Sequence, residues 1–225
     1  MRFPLVLLEA CRLGELEEVK KMVVDPCVPD EDGNTLLYYV CQDGHLQLVK
    51  WLVNDCKVDP NLPNKKDHTS LHVACWYGQV EILKWLVTDG KADPHRRDAT
   101  LMHSACWGGN LEIVKWLITE CKLDPHLTDK LGDTPFYAAC WGGNLEVAKW
   151  LVTECKVNPN QCNAQGDTPL HLACLNAWPG MIEWLVLECK LDPKLPNKKG
   201  ETPARFAYLA RDGEAIDLLK KLAPQ

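Results

Sequence analysis

The stretch CWGGNLEIVKWLITEC, from Cys106 to Cys121, is written again almost letter for letter as CWGGNLEVAKWLVTEC, from Cys140 to Cys155. A chain that repeats itself at a fixed interval folds as copies of one small unit, and this constrains the outcome more than any other feature. Aligned on the central cysteine, the copies fall at Cys11, Cys41, Cys75, Cys106, Cys140, Cys174 and, with the cysteine replaced, Tyr208. The steps are 30, 34, 31, 34, 34 and 34 residues. The copies span approximately 1–29, 30–63, 64–94, 95–128, 129–162, 163–196 and 197–225, and are expected to form a single domain.

Each copy predicts two short helices and a loop. In GDTPLHLACLN, Thr168 stands where a helix N-cap belongs and Pro169 at the first helical position. Leu170, Ala173 and Cys174 form an apolar stripe of mostly small residues at i, i+3, i+4. Gly44, Gly78, Gly109, Gly143 and Gly213 are placed to end this first helix in a left-handed conformation. A second helix follows, as in LEIVKWLITE, and then an extended connection through Asp59-Pro60, Asp93-Pro94, Asp124-Pro125, Asn158-Pro159 or Asp192-Pro193. Helices this short are not stable alone, so each pair must stack on the next.

TPLHLAC at Thr168–Cys174 and TSLHVAC at Thr69–Cys75, each leading to a second helix of the G-x-L-E-x-V-K-x-L kind and an Asp/Asn-Pro loop, resemble the ankyrin repeat. The resemblance runs over essentially the whole chain. It implies an all-α solenoid of helix-turn-helix units with hairpin-like loops, and partner contacts on the concave face and loop tips. It also implies a hydrogen-bonding brace between neighbouring turns for His72, His103 and His171. Tyr38, Tyr137 and Arg205 replace that histidine in other copies. The loop between Asp93 and Thr100 is three residues short, so the fourth finger should be stunted. In the sixth copy Ala177, Trp178 and Pro179 replace Gly-Asn-Leu. The first and last copies are expected to be caps whose outer faces tolerate water.

The net charge of −6 argues against a general grip on nucleic acid, and no stretch reaches the ~20 apolar residues of a membrane span. The N-terminal MRFPLVLLEACRLG carries Glu9 and Arg12 at helical spacing beside a short apolar run, predicting an amphipathic helix rather than a leader. Twelve cysteines and seven histidines raise the question of a metal. There is no C-x-x-C, and the His72/Cys75, His103/Cys106 and His171/Cys174 pairs lie one repeat apart, roughly 8–10 Å at helix-packing distances. Cysteines so placed are too far apart for disulfides along the ladder, whose bridged Cα atoms lie within about 7 Å. They read as packing, with no metal or cofactor, in a reducing, cytoplasmic compartment.

Eight of the nine tryptophans divide into two sets. Trp51, Trp85, Trp116, Trp150 and Trp184 continue the apolar face of the second helix and read as core or semi-buried packing. Trp76, Trp107 and Trp141 directly follow the central cysteine, and the resemblance puts them, with Tyr77, on the concave face. Large aromatics left exposed at repeat spacing are interface anchors. Lys65, Lys66, Arg96, Arg97 and Lys130 are expected to make a basic rim at the hairpin tips. A monomeric, non-catalytic module binding a protein or peptide is the expectation. The alternative is a binder of a phosphorylated small molecule, nucleic acid or methylated lysine. No Gly-rich phosphate loop, nucleophile–His–Asp set or pocketed carboxylate pair supports an enzyme.

Overall fold

A helix of seven residues such as Pro135–Trp141 leaves most of its backbone N–H and C=O groups without intrahelical partners. It persists only where caps and neighbouring helices supply them. The computed structural model describes residues 3–96 and 98–222, which form seven helix pairs and, among the described residues, no strand. The pairs are α1 (Leu5–Leu13) with α2 (Leu16–Met22), α3 (Leu36–Asp43) with α4 (Leu46–Asn54), and α5 (Ser70–Trp76) with α6 (Val80–Thr88). Then follow α7 (Asp98–Gly108) with α8 (Leu111–Thr119), α9 (Pro135–Trp141) with α10 (Leu145–Thr153), α11 (Pro169–Leu175) with α12 (Pro179–Leu187), and α13 (Pro203–Leu209) with α14 (Gly213–Leu222). Two compact units contain them, Met1–Arg97 and Asp98–Gln225. In the first, α1, α3 and α5 pack side by side and α4 lies on α6; in the second, α7, α9, α11 and α13 form a row, with α8 on α10 and α12 on α14.

Caps and core follow the repeat. Thr134 accepts the Tyr137 N–H at 3.1 Å. Thr69 and Thr168 close capping boxes in which the imidazole Nδ1 of His72 or His171 accepts the cap residue's N–H, each at 3.0 Å. All six central cysteines are fully buried, with Leu52, Leu83, Leu117 and Leu151 of the second helices among the core they join. Each such leucine stabilises by about 1.5–3 kcal/mol. Among the described residues no helix is long and apolar enough to cross a membrane.

Several expectations change in detail. The fingers are built on an Asx residue: Asn64 Oδ1 accepts from Lys66 N and His68 N, both at 2.9 Å, and Asp30, Asp129, Asn163 and Asn197 repeat the pattern. The fourth repeat has a loop three residues shorter than these. Its inner helix begins at Asp98, so Thr100 lies inside α7 instead of capping it. Gly213 opens α14 rather than ending α13; Arg211 takes the left-handed conformation, with φ 57°. The five second-helix tryptophans are half-buried. Lys50 of α4 stands 5.8 Å over the Trp85 ring, and Lys115 of α8 stands 5.8 Å over Trp150. In the first repeat Leu5, Val6 and Val24 are 84, 70 and 100 % exposed, among exposed charged residues such as Glu15, Glu17 and Lys20.

Candidate functional site

Each inner helix buries its central cysteine and then runs out, so the next residue emerges at its C-terminal end. In the first unit that residue is Trp76, half-buried, with its ring edge-on to His68 at a centroid distance of 4.5 Å. Tyr77 follows at 55 % exposure. Lys65 and Lys66 occupy the exposed finger tip of the same unit, and Arg96 is exposed on the short fourth loop. Arg97 lies outside the described residues.

In the second unit Trp107 and Trp141 hold the equivalent register and are 48 and 49 % exposed, with Leu175 and Leu209 continuing the row at 37 and 53 %. Lys130 is exposed on its tip beside Asp129. Lys198 and Lys199 are exposed at a further tip. Below these tips the second unit is acidic. Asp133 is half-buried, and its carboxyl is pushed up by that burial against a 3.0 Å hydrogen bond from Asn163. The basic rim therefore belongs to the first unit, and the second presents lysines above carboxylates.

The backbone under the row is held from the next repeat. His45 Nε2 donates to Arg12 O at 2.8 Å, Gln79 Nε2 to Gln42 O at 2.9 Å, and Asn144 Nδ2 to Trp107 O at 2.7 Å. All four acceptors in this series directly follow a central cysteine; the fourth is Trp141, which receives the indole N–H of Trp178 at 3.0 Å. Trp178 thus does the work of the asparagine it replaces. It lies against Gly143, where an added Cβ would come within 2.6 Å of its ring, and at 40 % exposure it sets a third indole beside Trp141. The sequence reading took Trp178 only as an irregularity; its clue was its position, in step with Asn144, Gln79 and His45.

The brace assigned to His103 and His171 is present among the described residues. His103 Nε2 donates to Asp133 O at 2.7 Å and His171 Nε2 to Glu201 O at 3.0 Å, each in the following repeat. His72 is buried in its capping box, and its pKa is lowered to about 3 by burial and by His68. Nucleophilic chemistry is disfavoured at the central thiols: burial pushes Cys11 and Cys174 up to about 12 and raises Cys41, Cys106 and Cys140 too. Among the described residues no three or more His, Cys, Asp or Glu side chains converge as metal ligands. What the row offers is flat apolar area at regular spacing.

Similarity to known proteins agrees with this architecture. The human ASB11 ankyrin repeat domain superposes with a TM-score of 0.73 at 24 % identity, covering 100 % of this chain and 99 % of that one. A chain from the complex of the Bdellovibrio bacteriovorus predatory endopeptidase Bd0816 with immunity protein Bd3460 matches with a TM-score of 0.50 at 26 % identity, over 98 % and 99 % of the two chains. No curated protein sequence matches it. The family model described as ankyrin repeats in three copies matches residues 7–98 and again 101–196, and the chain belongs to the ankyrin repeat family.

Proposed function

We propose that this chain is a non-catalytic module that binds a protein or peptide through the residues following its central cysteines. Trp107 and Trp141 anchor the partner in the second unit. Trp76 and Tyr77 contribute in the first, with Lys65, Lys66 and Arg96 as its basic rim. One observation carries the reading: the two indoles are half exposed although the residue before each is completely buried. Exposed tryptophan is costly in water and is a preferred hot-spot residue. Ankyrin repeats generally serve as protein-interaction modules, and the Bd0816–Bd3460 structure contains two proteins in complex.

A peptide library displayed on phage and selected on the immobilised chain supplies a probe. Truncating a hot-spot anchor costs ~2 kcal/mol, about 30-fold in Kd. Trp107→Ala and Trp141→Ala should each weaken selected peptides by about that factor, and Trp116→Ala, on the second helix, should not. Peptides that bind all variants equally would move the site off this row. Affinity that collapses between 50 and 200 mM salt would favour a polyanionic ligand instead.

A further inference from the structure

A second column of side chains runs beside the exposed row. In the first unit the His68 ring, eight residues before Trp76, stands edge-on to it at 4.5 Å, so the residue preceding the capping threonine adjoins the row. In the second unit that register belongs to Asp133, Asp167 and Glu201, eight residues before Trp141, Leu175 and Leu209. All three are partly exposed, and they follow one another at 34-residue intervals, one per repeat.

These carboxylates stand without a counter-ion. Asn163 Nδ2 donates to Asp133 Oδ1 at 3.0 Å, and Asn197 Nδ2 donates to Asp167 Oδ1 at 2.7 Å and to Glu201 Oε2 at 3.4 Å. None of the three enters an ion pair among the described residues. The finger lysines are placed elsewhere: Lys198 donates to the Ala164 carbonyl at 2.7 Å, and Lys130 and Lys199 are exposed at the tips. Burial pushes the Asp133 carboxyl up, and the Asp129 and Asp167 carboxylates add to the rise, so like charges crowd one another here. The Tyr137 hydroxyl, which accepts from Asn163 at 2.9 Å, is raised by burial and then by Asp133 and Asp167, so both carboxylates act on one spot.

An apolar row edged by unpaired carboxylates suits an occupant carrying both cations and apolar groups. An acidic segment would meet like charge in three successive repeats. Arginine fits best, because its planar guanidinium pairs with a carboxylate through two hydrogen bonds and also stacks on indole. Spacing narrows the choice further. Packed helices lie roughly 8–10 Å apart, and a polyproline II chain presents the same face every three residues, about 9 Å along. We propose that the second unit takes a basic, extended peptide segment, with an arginine at every third residue on Asp133, Asp167 and Glu201 and apolar side chains between them on Trp141, Leu175 and Leu209. The inference rests on the row being the binding site and adds the chemistry of its partner.

Fluorescence anisotropy on the full chain at one fixed salt concentration tests it, with a labelled peptide of three Arg-Pro-Leu triplets. A peptide of the same composition with its arginines contiguous should bind at least about ten-fold more weakly, and a Glu-Pro-Leu counterpart should not bind. The double variant Asp133→Asn, Asp167→Asn removes the charge and keeps an acceptor for each asparagine; the first unit already makes such a bond, from Asn64 Nδ2 to Asn34 Oδ1 at 2.8 Å. It should weaken the triplet peptide at least about ten-fold and leave uncharged peptides selected on the tryptophans unchanged, with circular dichroism confirming the fold. If the double variant binds the triplet peptide as wild type does while Trp141→Ala loses it, the row is the site and its partner is not basic. If neither change matters, the row itself fails. A triplet peptide that wild type does not bind, or binds no better than the contiguous one, also overturns the proposal.

Discussion

Asn144 donates its side-chain amide to the carbonyl of Trp107 at 2.7 Å, across the boundary between two repeats, and does so over Gly109. Gly109 has φ 80°, and a Cβ there would lie 2.5 Å from Asn144 Cγ. Gly109→Ala combines left-handed strain of about 1–2 kcal/mol with a displaced hydrogen bond of about 1 kcal/mol. Urea unfolding should show a loss of about 2–3 kcal/mol. Gly213→Ala, with no positive φ and no atom within 4 Å of the added carbon, should be neutral or gain about 0.5 kcal/mol. Equal effects at the two sites would mean that the brace does not require glycine.

Ala177 occupies the register of Gly143 with φ 57°. Replacing it by glycine removes the left-handed penalty at the cost of a looser unfolded chain. Ala177→Gly should stabilise by about 0.5–1 kcal/mol, and hydrogen exchange should slow in the sixth and seventh repeats. No gain in either measurement would remove Ala177 as the weak point of the stack.

His72 is buried with its pKa lowered to about 3, whereas in the unfolded chain it titrates near its ordinary 6.5. Between those values the unfolded state binds the extra proton, so stability rises with pH there and falls on acidification. The contribution is present above about pH 6.5 and drains away as pH falls toward 3. About 2 kcal/mol should be lost between pH 7 and pH 5 from this residue. His171, also lowered by burial, acts in the same direction. Urea midpoints at pH 7, 6 and 5 measure the slope, and His72→Gln should flatten it.

Trp116 is more buried than Trp107. Trp116→Ala should therefore cost more stability, about 2–4 kcal/mol against about 1–2, by area removed from water. The reverse order would place Trp107 in the packing.

Element existence was readable because it rests on spacing: Thr–Pro starts and a cysteine in step predict the helix pairs. The details that escaped involve backbone conformation. Lys57, Lys91, Lys122, Lys156 and Lys190 all hold φ between 57° and 61° after the second helix, where glycine or asparagine is the usual choice. Lys122 and Lys156 turn their ammonium groups onto the carbonyls of Thr119 and Thr153, closing the helix end with a charge. No propensity scale puts lysine there; only its recurrence in five copies hinted at it. The longer α7 was hidden for a related reason, since the loop shortened by three residues leaves nothing there to read. At the candidate site the row of tryptophans was visible, but their exposure and the role of Trp178 depend on contacts between repeats 37 residues apart.

The brace under the row takes hold of a carbonyl, which every amino acid carries. Arginine, glutamine and tryptophan all serve as acceptors in it, at residues 12, 42, 107 and 141. Architecture at this column is thus assigned to the main chain and recognition to whatever side chain stands there. Mutation can rewrite the second without disturbing the first. A gene encoding such a stack can duplicate a repeat, let its exposed letter drift and acquire a new specificity, with the fold inherited unchanged.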